Sequence, residues 1–360
     1  MDLNAAMDKL LGLLAENNGS DLFITAGWPP SIKVDGVIRP AGRHPLSAEQ
    51  AREMVLAVMN DRQRQEFEDT KECQFAIERP KVGRFRVSAF VQRDAAGMVL
   101  RRIITTIPTL EELKLPPVLR DLAMTKRGMV IFVGGTGTGK STSLAALVGY
   151  RNRHSTGHII TIEDPNEYVH DHDGCIITQR EVGVDTESFD VALKNTLRQA
   201  PDVILIGEIR NRQTMEYAIA FSETGHLVLA TLHANNANQA LDRIINFFPE
   251  ESRDRALLDL SLNLKAVVAQ QLAPRKGGGR RAVVEVMMNT PLASDLIRKG
   301  EVHELKALMK RSTEQGMITF DQALFELLQE DEISYEDALR FADSANEVRL
   351  KVKLQDGDQQ

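Results

Sequence analysis

One segment constrains this chain more than any other, a glycine-rich loop from Gly134 to Ser141 that reads Gly-Gly-Thr-Gly-Thr-Gly-Lys-Ser. It matches G-x-x-x-x-G-K-[S/T], follows a predicted strand over 129–133 and precedes a predicted helix over 140–150. Backbone N–H groups of such a loop surround phosphate oxygens, and the helix N-terminus adds a partial positive charge. The sequence therefore predicts a nucleotide-binding site made of Gly134, Gly135, Thr136, Gly137, Thr138, Gly139, Lys140, Ser141 and Thr142.

Two side chains of this loop predict the ligand in more detail. In loops of this pattern the lysine, here Lys140, reaches the β- and γ-phosphates. The hydroxyl that follows it, here Ser141, is a ligand for Mg²⁺. We therefore expect ATP and Mg²⁺ as the cofactors.

The pattern of apolar segments predicts an α/β fold with two domains. A soft prior of about 150 residues per domain gives roughly two domains for 360 residues. From about residue 129 onward, short apolar strands alternate with helices, which is typical of a mainly parallel sheet covered on both faces. The first hundred residues predict a small α+β unit instead, and prolines at 108, 116 and 117 mark a linker. The predicted boundaries are 1–104 for the first domain, 105–117 for the linker, 118–345 for the ATPase domain with its helical C-terminal part, and 346–360 for a flexible tail.

Acidic residues at the ends of two predicted strands supply the expected chemistry. The strand over 203–206 ends in Gly207-Glu208, with glycine where a common P-loop ATPase carries an Mg²⁺-directed aspartate. Glu208 is therefore free to orient or deprotonate the attacking water, and Mg²⁺ needs a carboxylate from elsewhere. The segment Thr161-Ile162-Glu163-Asp164-Pro165-Asn166-Glu167 follows another strand, and carboxyl ends of parallel strands line the ligand crevice. Glu163 is thus a second candidate, alongside the plainer interpretation of this segment as a helix-capping turn.

Two histidines and several arginines are further candidates, each with a structural alternative. His226 precedes the predicted strand over 227–232 and His233 follows it, a position suited to sensing the γ-phosphate. Either histidine is equally consistent with a satisfied structural role. Arginines also occur on the last two strands of the first domain, where they are either solvated strand-face residues or transition-state contacts, at positions Arg84, Arg86, Arg101 and Arg102.

Composition excludes several classes of protein. Only two cysteines are present, Cys73 and Cys175, which predicts neither a disulfide framework nor a four-thiolate structural zinc site. The net charge of −7 argues against nucleic acid as the main partner. No apolar run approaches the roughly 18–20 residues that span a bilayer, and acidic Asp2 and Asp8 make the first helix unlike a signal peptide. These features predict a cytoplasmic protein.

Taken together, the motifs resemble the secretion ATPase superfamily of ring-forming motors, and most closely the type IV pilus retraction ATPases of the PilT/PilU group, PilU-like members in particular. The resemblance covers essentially the whole chain and rests on an ordered series of motifs. These are Gly19-Ser20-Asp21-Leu22, Gly83-Arg84-Phe85-Arg86-Val87, the loop Gly134–Ser141, the aspartate box Thr161–Glu167, the strand ending in Gly207-Glu208, and the histidine box Thr224–His233.

The resemblance implies a PAS-like N-terminal domain, a RecA-like P-loop ATPase domain and a homohexamer. It implies that Glu208 is the catalytic glutamate and that Glu163 supports metal and water. It further implies that His226 and His233 sense the nucleotide, and that Arg86 and Arg101 contact it from the N-terminal domain. Its implied partners are a PilT-like paralogous motor, an inner-membrane pilus platform protein and the pilus machinery at the membrane base.

The chain departs from the family pattern in two places. Asn166 stands where relatives usually have an apolar residue in the aspartate box. The segment Leu292-Ala-Ser-Asp-Leu-Ile-Arg298 only partly matches the Ala-Ile-Arg-Asn-Leu-Ile segment of PilT, which favours an accessory, PilU-like motor.

The leading hypothesis is therefore a hexameric Mg²⁺-dependent ATPase that powers pilus retraction and twitching motility. A second hypothesis is a pilus assembly or type II secretion ATPase, although such motors typically carry a tetracysteine zinc module that two cysteines do not form. A RecA-like nucleic-acid translocase is a third hypothesis, and a nucleotide-binding scaffold without turnover is a fourth.

Overall fold

The computed structural model describes residues 3–34, 36–80, 82–103 and 106–358. The chain divides into two compact units, Met1–Thr106 and Ile107–Gln360. Positions 104 and 105, where the sequence predicts the first domain to end and the linker to begin, lie outside the described residues.

The first unit is built on a six-stranded antiparallel sheet of order β3-β2-β1-β6-β5-β4, accompanied by three helices. Alternation on β5 places Phe85, Val87 and Ala89 in the core, at 1% exposure or less. The predicted α+β class of this unit is confirmed. Its elements are α1 (Leu3–Glu16), β1 (Asp21–Ile24), β2 (Ser31–Val34), β3 (Val37–Pro40), α2 (Ala48–Ala57), α3 (Asp61–Thr70), β4 (Glu72–Arg79), β5 (Gly83–Gln92) and β6 (Ala95–Ile103).

The second unit is built on a seven-stranded sheet of order β13-β12-β7-β11-β10-β8-β9. Its strands pair in parallel from β12 through β9, and only β13 is antiparallel to its neighbour. The predicted mainly parallel sheet is thus confirmed. Its strands are β7 (Gly128–Val133), β8 (Gly157–Glu163), β9 (Cys175–Glu181), β10 (Val203–Ile206), β11 (Leu227–Leu232), β12 (Leu264–Pro274) and β13 (Arg280–Met288).

Helices cover both faces of this sheet. They are α4 (Val118–Ala123), α5 (Lys140–His154), α6 (Phe189–Thr196), α7 (Arg212–Glu223), α8 (Ala237–Asn246), α9 (Glu250–Asn263), α10 (Pro291–Arg298), α11 (Leu305–Arg311), α12 (Phe320–Gln329), α13 (Tyr335–Phe341) and α14 (Ala345–Asp358).

The continuous apolar run of β7 explains why both faces are covered. Met129, Ile131 and Val133 belong to one core cluster, whereas Val130 and Phe132 belong to a second one on the other face. Because successive side chains of a strand point to opposite faces, a strand that is apolar throughout needs a helical layer on each side.

Two predicted boundaries differ from the structure. Leu110 and Leu115, in the segment expected to be a linker, are buried in a core cluster of the second unit. The region 346–360, expected to be a flexible tail, is helical as far as Asp358 in α14, and Val348 is fully buried. In the described part of the chain, none of the helices combines the length and apolar character needed to cross a membrane.

Candidate functional site

The glycine-rich loop lies where the sequence predicts it, between β7 and the start of α5. The Nζ atom of Lys140 donates hydrogen bonds to the carbonyl oxygens of Gly134 and Gly135, at 2.8 Å each. Burial lowers the pKa of Lys140, and the nearby carboxylates of Glu208 and Glu167 oppose that shift. The loop therefore folds around its lysine, whose charge lies close to acidic groups.

A cavity of about 180 Å³ at the carboxyl end of the parallel strands brings most of the predicted residues together. Lys140 and Ser141 from the loop, Glu163 from β8, Glu208 from beyond β10 and His233 from beyond β11 all line it. This grouping follows from the topology, because β8, β10, β11 and β7 are adjacent and parallel, so that their carboxyl ends share one edge. The other lining residues are Thr136, Gly137, Asp164, Pro165, Glu167, Phe189, Gly207, Arg210 and Thr231.

Two cationic or basic side chains hold the carboxylate of Glu208. Arg210 Nε donates to its Oε2 atom at 2.7 Å, and His233 Nε2 lies 3.3 Å from its Oε1 atom. A second ion pair joins Arg210 to Asp164 at 3.5 Å. Glu208 is therefore an oriented carboxylate, with its side chain 18% exposed in the cavity.

The backbone explains why glycine precedes Glu208. A Cβ atom at Gly207 would lie 3.0 Å from the Cα atom of Glu163 and 3.1 Å from the carbonyl oxygen of Ile162. The Thr231 hydroxyl also donates to the Gly207 carbonyl. Close approach of β8 therefore leaves little room at position 207 for the usual aspartate, and Glu163 of that same strand provides the carboxylate at this place.

Glu163 is enclosed more than its sequence position indicates. Burial raises its pKa to about 7, with a further upward contribution from Glu167. The turn that follows contains a cis peptide bond between Asp164 and Pro165. Asn166 is buried, and its backbone N–H donates to Glu181 at 3.2 Å, which ties the turn to β9. The asparagine at position 166, where relatives usually have an apolar residue, thus lies in a turn that is held to β9 by a hydrogen bond.

Two hydroxyl side chains, Thr138 in the loop and Thr142 just after it, have local partners. The Thr142 hydroxyl lies 2.7 Å from the Tyr168 hydroxyl, so that the loop helix contacts the segment after the aspartate box. The Thr138 hydroxyl donates to the Gly135 carbonyl at 3.0 Å, inside the loop.

His226 does not line this cavity, and its role as a nucleotide sensor stays a prediction. His226 lies at the amino end of β11, and its Nδ1 atom is 3.0 Å from the Phe221 carbonyl oxygen and 3.1 Å from the Thr224 hydroxyl. Its own carbonyl accepts from the Gly128 N–H at the start of β7. The six residues of β11 separate it from His233, a rise of about 20 Å.

The two arginines expected from the first domain lie in the first unit. Arg86 on β5 and Arg101 on β6 occupy facing positions of the antiparallel pair. Arg101 Nε donates to the buried carboxylate of Asp21 at 2.8 Å, while its side chain remains 66% exposed. Asp21 belongs to a motif noted in the sequence, and holding this guanidinium is the role that the structure gives it. Of the neighbouring arginines, Arg102 donates to the Ala15 carbonyl at 3.3 Å.

Sequence reasoning missed Arg210 and Tyr168. Arg210 carried a usable signal, because it lies two positions after Glu208, just beyond the end of a strand that leads into the crevice. Tyr168 carried none, since its partner Thr142 is 26 positions away.

The donor set fits Mg²⁺ bound together with phosphates. The hydroxyl of Ser141 and the carboxylates of Glu163, Asp164 and Glu167 are hard oxygen donors around one cavity. Within the residues that the structure describes, no group of three or more His, Cys, Asp or Glu side chains forms a metal cage. This is the arrangement expected where Mg²⁺ takes few protein ligands and completes its shell with substrate oxygens and water.

Comparison with known proteins gives concordant matches. The family model described as "Type II/IV secretion system protein" matches residues 6–277. The type IV pilus ATPase PilU of Pseudomonas aeruginosa is 70% identical over 348 residues, which cover 96% of this chain and 91% of that protein. The type IV pilus retraction ATPase PilT of the same organism is 42% identical over 330 residues, or 92% of this chain and 96% of PilT. A crystal structure of the pilus retraction motor PilT with bound ADP has a TM-score of 0.89 and 35% identity, and the match covers 97% of this chain and 98% of that one.

Proposed function

Because this chain belongs to the type II/IV secretion system protein family, and within it to the PilT/PilU group, we propose that it is an ATP hydrolase that powers retraction of type IV pili. The single observation that carries the chemical part is the cavity in which Glu208 faces the phosphate-binding loop. Its carboxylate is held by Arg210 at 2.7 Å and lies 3.3 Å from His233, while Lys140 and Ser141 line the same cavity. The related PilT with bound ADP supports nucleotide as the ligand.

The phosphate-binding loop holds the nucleotide in this proposal. Its backbone N–H groups and the N-terminus of α5 surround the phosphates, and Lys140 exchanges its bonds to the Gly134 and Gly135 carbonyls for bonds to phosphate oxygens. Ser141 and Glu163 hold Mg²⁺, Glu163 directly or through water, and the chemistry that the ion supplies when bound is neutralisation of charge on the phosphates.

Glu208 orients the attacking water and accepts its proton. A carboxylate suits this role because it is anionic, fixed at both oxygens and open to the cavity. His233 contacts Glu208 directly, so a change in the γ-phosphate that moves Glu208 also moves the loop before α8. That contact is a route by which the protein senses the nucleotide.

The assembly that we propose is a homohexamer. We retain for Arg86 and Arg101 the role that the family resemblance implies, contacts to the nucleotide from the first unit. The exposed guanidinium of Arg101, which is fixed by Asp21, supports a role as a donor. A fixed guanidinium stabilises the charge of a phosphoryl-transfer transition state.

Within the pilus machinery we propose an accessory role beside a PilT-like motor, at an inner-membrane platform protein. The 70% identity with PilU, against 42% with PilT, supports this assignment. The partial match of the segment that forms α10, where Leu292 is 51% exposed, supports it as well.

The chemical part is tested by steady-state hydrolysis of Mg²⁺-ATP with two variants. Lys140→Ala is expected to abolish both binding and turnover. Glu208→Gln is expected to lower kcat about 10³-fold while ADP affinity stays within threefold, because it removes a proton acceptor and leaves the phosphate loop intact. Turnover that survives in Lys140→Ala would place hydrolysis in a contaminant or at another site.

The cellular part is tested by imaging pilus retraction in four strains, which carry this protein alone, the PilT-like motor alone, both or neither. An accessory motor is expected to strengthen retraction only when the PilT-like motor is present. Full retraction with this protein alone would contradict the accessory role, and an effect on pilus extension only would favour an assembly motor.

A further inference from the structure

Behind the phosphate-binding loop lies a buried amide, Gln270, on the strand next to β7. The side chain of Gln270 is on β12 and the residue is only 2% exposed. Its Nε2 atom donates to the Thr138 carbonyl at 2.8 Å, and its Oε1 atom accepts from the Ser143 hydroxyl at 2.7 Å. The ligand-binding residues Lys140 and Ser141 lie between Thr138 and Ser143 in the sequence. The Gln270 amide therefore connects the loop before these two residues with the first turn of α5 after them.

Two glycines of the loop are required by this strand. A Cβ atom at Gly139 would lie 2.7 Å from Gln270 Nε2, and one at Gly134 would lie 2.5 Å from the Gln270 carbonyl oxygen. Both glycines also have positive φ, 89° and 154°. Gly137 differs, because nothing lies within 4 Å of a Cβ atom placed there. The ends of the loop are therefore pressed against β12, and its middle faces the ligand side.

The chemistry of the contact suits an amide in particular. A loop that turns its N–H groups toward phosphate turns carbonyl groups away, and a buried carbonyl needs a donor. The Ser143 hydroxyl donates to the amide oxygen and thereby ties the helix to the same side chain. The glutamine amide offers both N–H donors and an acceptor oxygen, whereas leucine supplies neither and ionised glutamate supplies only acceptors.

We propose that Gln270 is a positioning residue that holds the phosphate-binding loop in its ligand-binding shape before nucleotide arrives. This inference rests on the proposed function for its kinetic readout. The loop loses less conformational entropy on binding when its carbonyl side is already fixed, so the effect falls first on nucleotide affinity. Gln270 does not contact the reacting atoms.

The test compares Gln270→Leu with Gln271→Leu in the full chain. Gln271 is the adjacent position of β12, so its side chain leaves from the opposite face of the strand, and the control makes the same chemical change. Calorimetric titration with Mg²⁺-ADP is expected to show at least tenfold weaker binding for Gln270→Leu, and steady-state assays a matching rise in KM with a smaller loss in kcat. Gln271→Leu is expected to stay within twofold of the unchanged protein.

A second variant, Gln270→Glu, provides a signature that loss of folding would not mimic. When the carboxyl group introduced at position 270 is protonated, it donates a hydrogen bond to the Thr138 carbonyl oxygen. When it is ionised, it repels that oxygen. The ratio of its ADP affinity to that of the unchanged protein is expected to rise at least threefold from pH 8 to pH 6, because the buried carboxyl gains a proton over that range. A ratio that is independent of pH would contradict the proposed bond.

Hydrogen exchange separates this inference from the proposed function. In protein without nucleotide, the backbone amides of residues 134–143 are expected to exchange at least fivefold faster in Gln270→Leu than in Gln271→Leu. Faster exchange in Gln270→Leu would uphold the positioning role even if the unchanged protein hydrolysed no ATP. The absence of hydrolysis by the unchanged protein would reject the proposed ATPase function. Unchanged exchange and affinity in a folded Gln270→Leu protein that turns over ATP would overturn the positioning role alone.

Discussion

Two glutamates of the second unit share an unusual property and differ in what surrounds them. Glu163 lies at the end of β8 and Glu285 in the middle of β13, and burial raises the pKa of each to about 7. Glu163 lines the cavity beside the phosphate-binding loop, among other carboxylates. Glu285 is 2% exposed and does not line that cavity.

The oxygens of Glu285 are occupied by the starts of two helices. Its Oε1 atom accepts from the Ala237 N–H at 2.9 Å and its Oε2 atom from the Phe320 N–H at 3.3 Å. These residues are the first of α8 and α12, whose terminal N–H groups have no partner within their own helices. Glu285 therefore joins two helix N-termini and has a structural role.

The comparison shows that a raised pKa does not by itself identify a catalytic group. Burial gives both glutamates the same direction of shift, and the partners of their oxygens distinguish the two roles. A carboxyl group whose oxygens both accept backbone N–H groups in the core connects elements of the fold. A carboxylate that faces a cavity beside a lysine and a serine is available to water, metal and phosphate.

Between these two glutamates, the larger expected effect on hydrolysis concerns Glu163. Glu163→Gln removes a carboxylate next to Ser141 and is expected to lower kcat for Mg²⁺-ATP about 100-fold. The midpoint of thermal unfolding at pH 8 is expected to stay the same or rise, since the amide carries no charge that burial disfavours. Steady-state hydrolysis and a thermal melt measure the two quantities.

Glu285→Gln is the matched control for that experiment. It makes the same chemical change in a carboxyl whose pKa is raised to a similar value, and we expect hydrolysis at pH 7 to change less than threefold. A larger loss of turnover in Glu285→Gln than in Glu163→Gln would reverse the assignment of the two roles.

Much of the fold was predictable from local pattern. The continuous apolar run of β7 and the alternation on β5 follow from residues that are neighbours in sequence, and β7 is buried throughout while β5 alternates buried with partly exposed residues. The phosphate-binding loop was predictable for the same reason, because its glycines, Lys140 and Ser141 are contiguous. The helix α14 was not, because the sequence after 346 is largely polar and gives no sign that Val348 becomes fully buried.

The candidate site was predictable only in part, because the missed contacts join residues far apart in the chain. Gln270 meets Thr138 across 132 positions, and Glu285 meets Ala237 across 48. In the sequence, Glu285 is one acid within the apolar run of β13, with no sign of the helix starts that it joins. The end of β11 that faces the cavity was predictable, because carboxyl ends of parallel strands line the ligand crevice and His233 follows that strand.

The pH dependence of stability sharpens the role of Glu285. The charged groups around it are Asp343, which raises its pKa, and Lys306, which lowers it, after burial as the main cause. The pKa of Glu285 is about 7 in the folded chain, against an ordinary value of 4.5. Between pH 4.5 and pH 7 the folded chain therefore binds more protons than the unfolded chain, so the free energy of unfolding falls as pH rises. Glu285 is therefore expected to lower the free energy of unfolding by about 2 kcal/mol between pH 5 and pH 7.

Glu285→Gln is expected to lack the loss of stability that ionisation of Glu285 causes as pH rises. The difference in unfolding midpoint between the variant and the unchanged protein should shift by about 4–8 °C from pH 5 to pH 7, in favour of the variant. Melts of both proteins at several pH values measure it. A difference that is constant with pH would mean that Glu285 has the same pKa in the folded and unfolded chains.

The smallest expected effect concerns Arg210, which tests how far the cavity depends on an exposed ion pair. Arg210 bonds Glu208 at 2.7 Å, but its side chain is 56% exposed, and exposed pairs contribute about 0.2–1 kcal/mol. Arg210→Ala is therefore expected to lower kcat up to about fivefold, with a loss that shrinks at high salt because ions screen the pair that it removes. Arg212→Ala is the control, since Arg212 makes an equally short pair with Glu216 on α7 and does not line the cavity. A loss near 100-fold that is independent of salt would show that Arg210 contacts the reacting phosphate, and the site would then have an arginine of its own within the second unit.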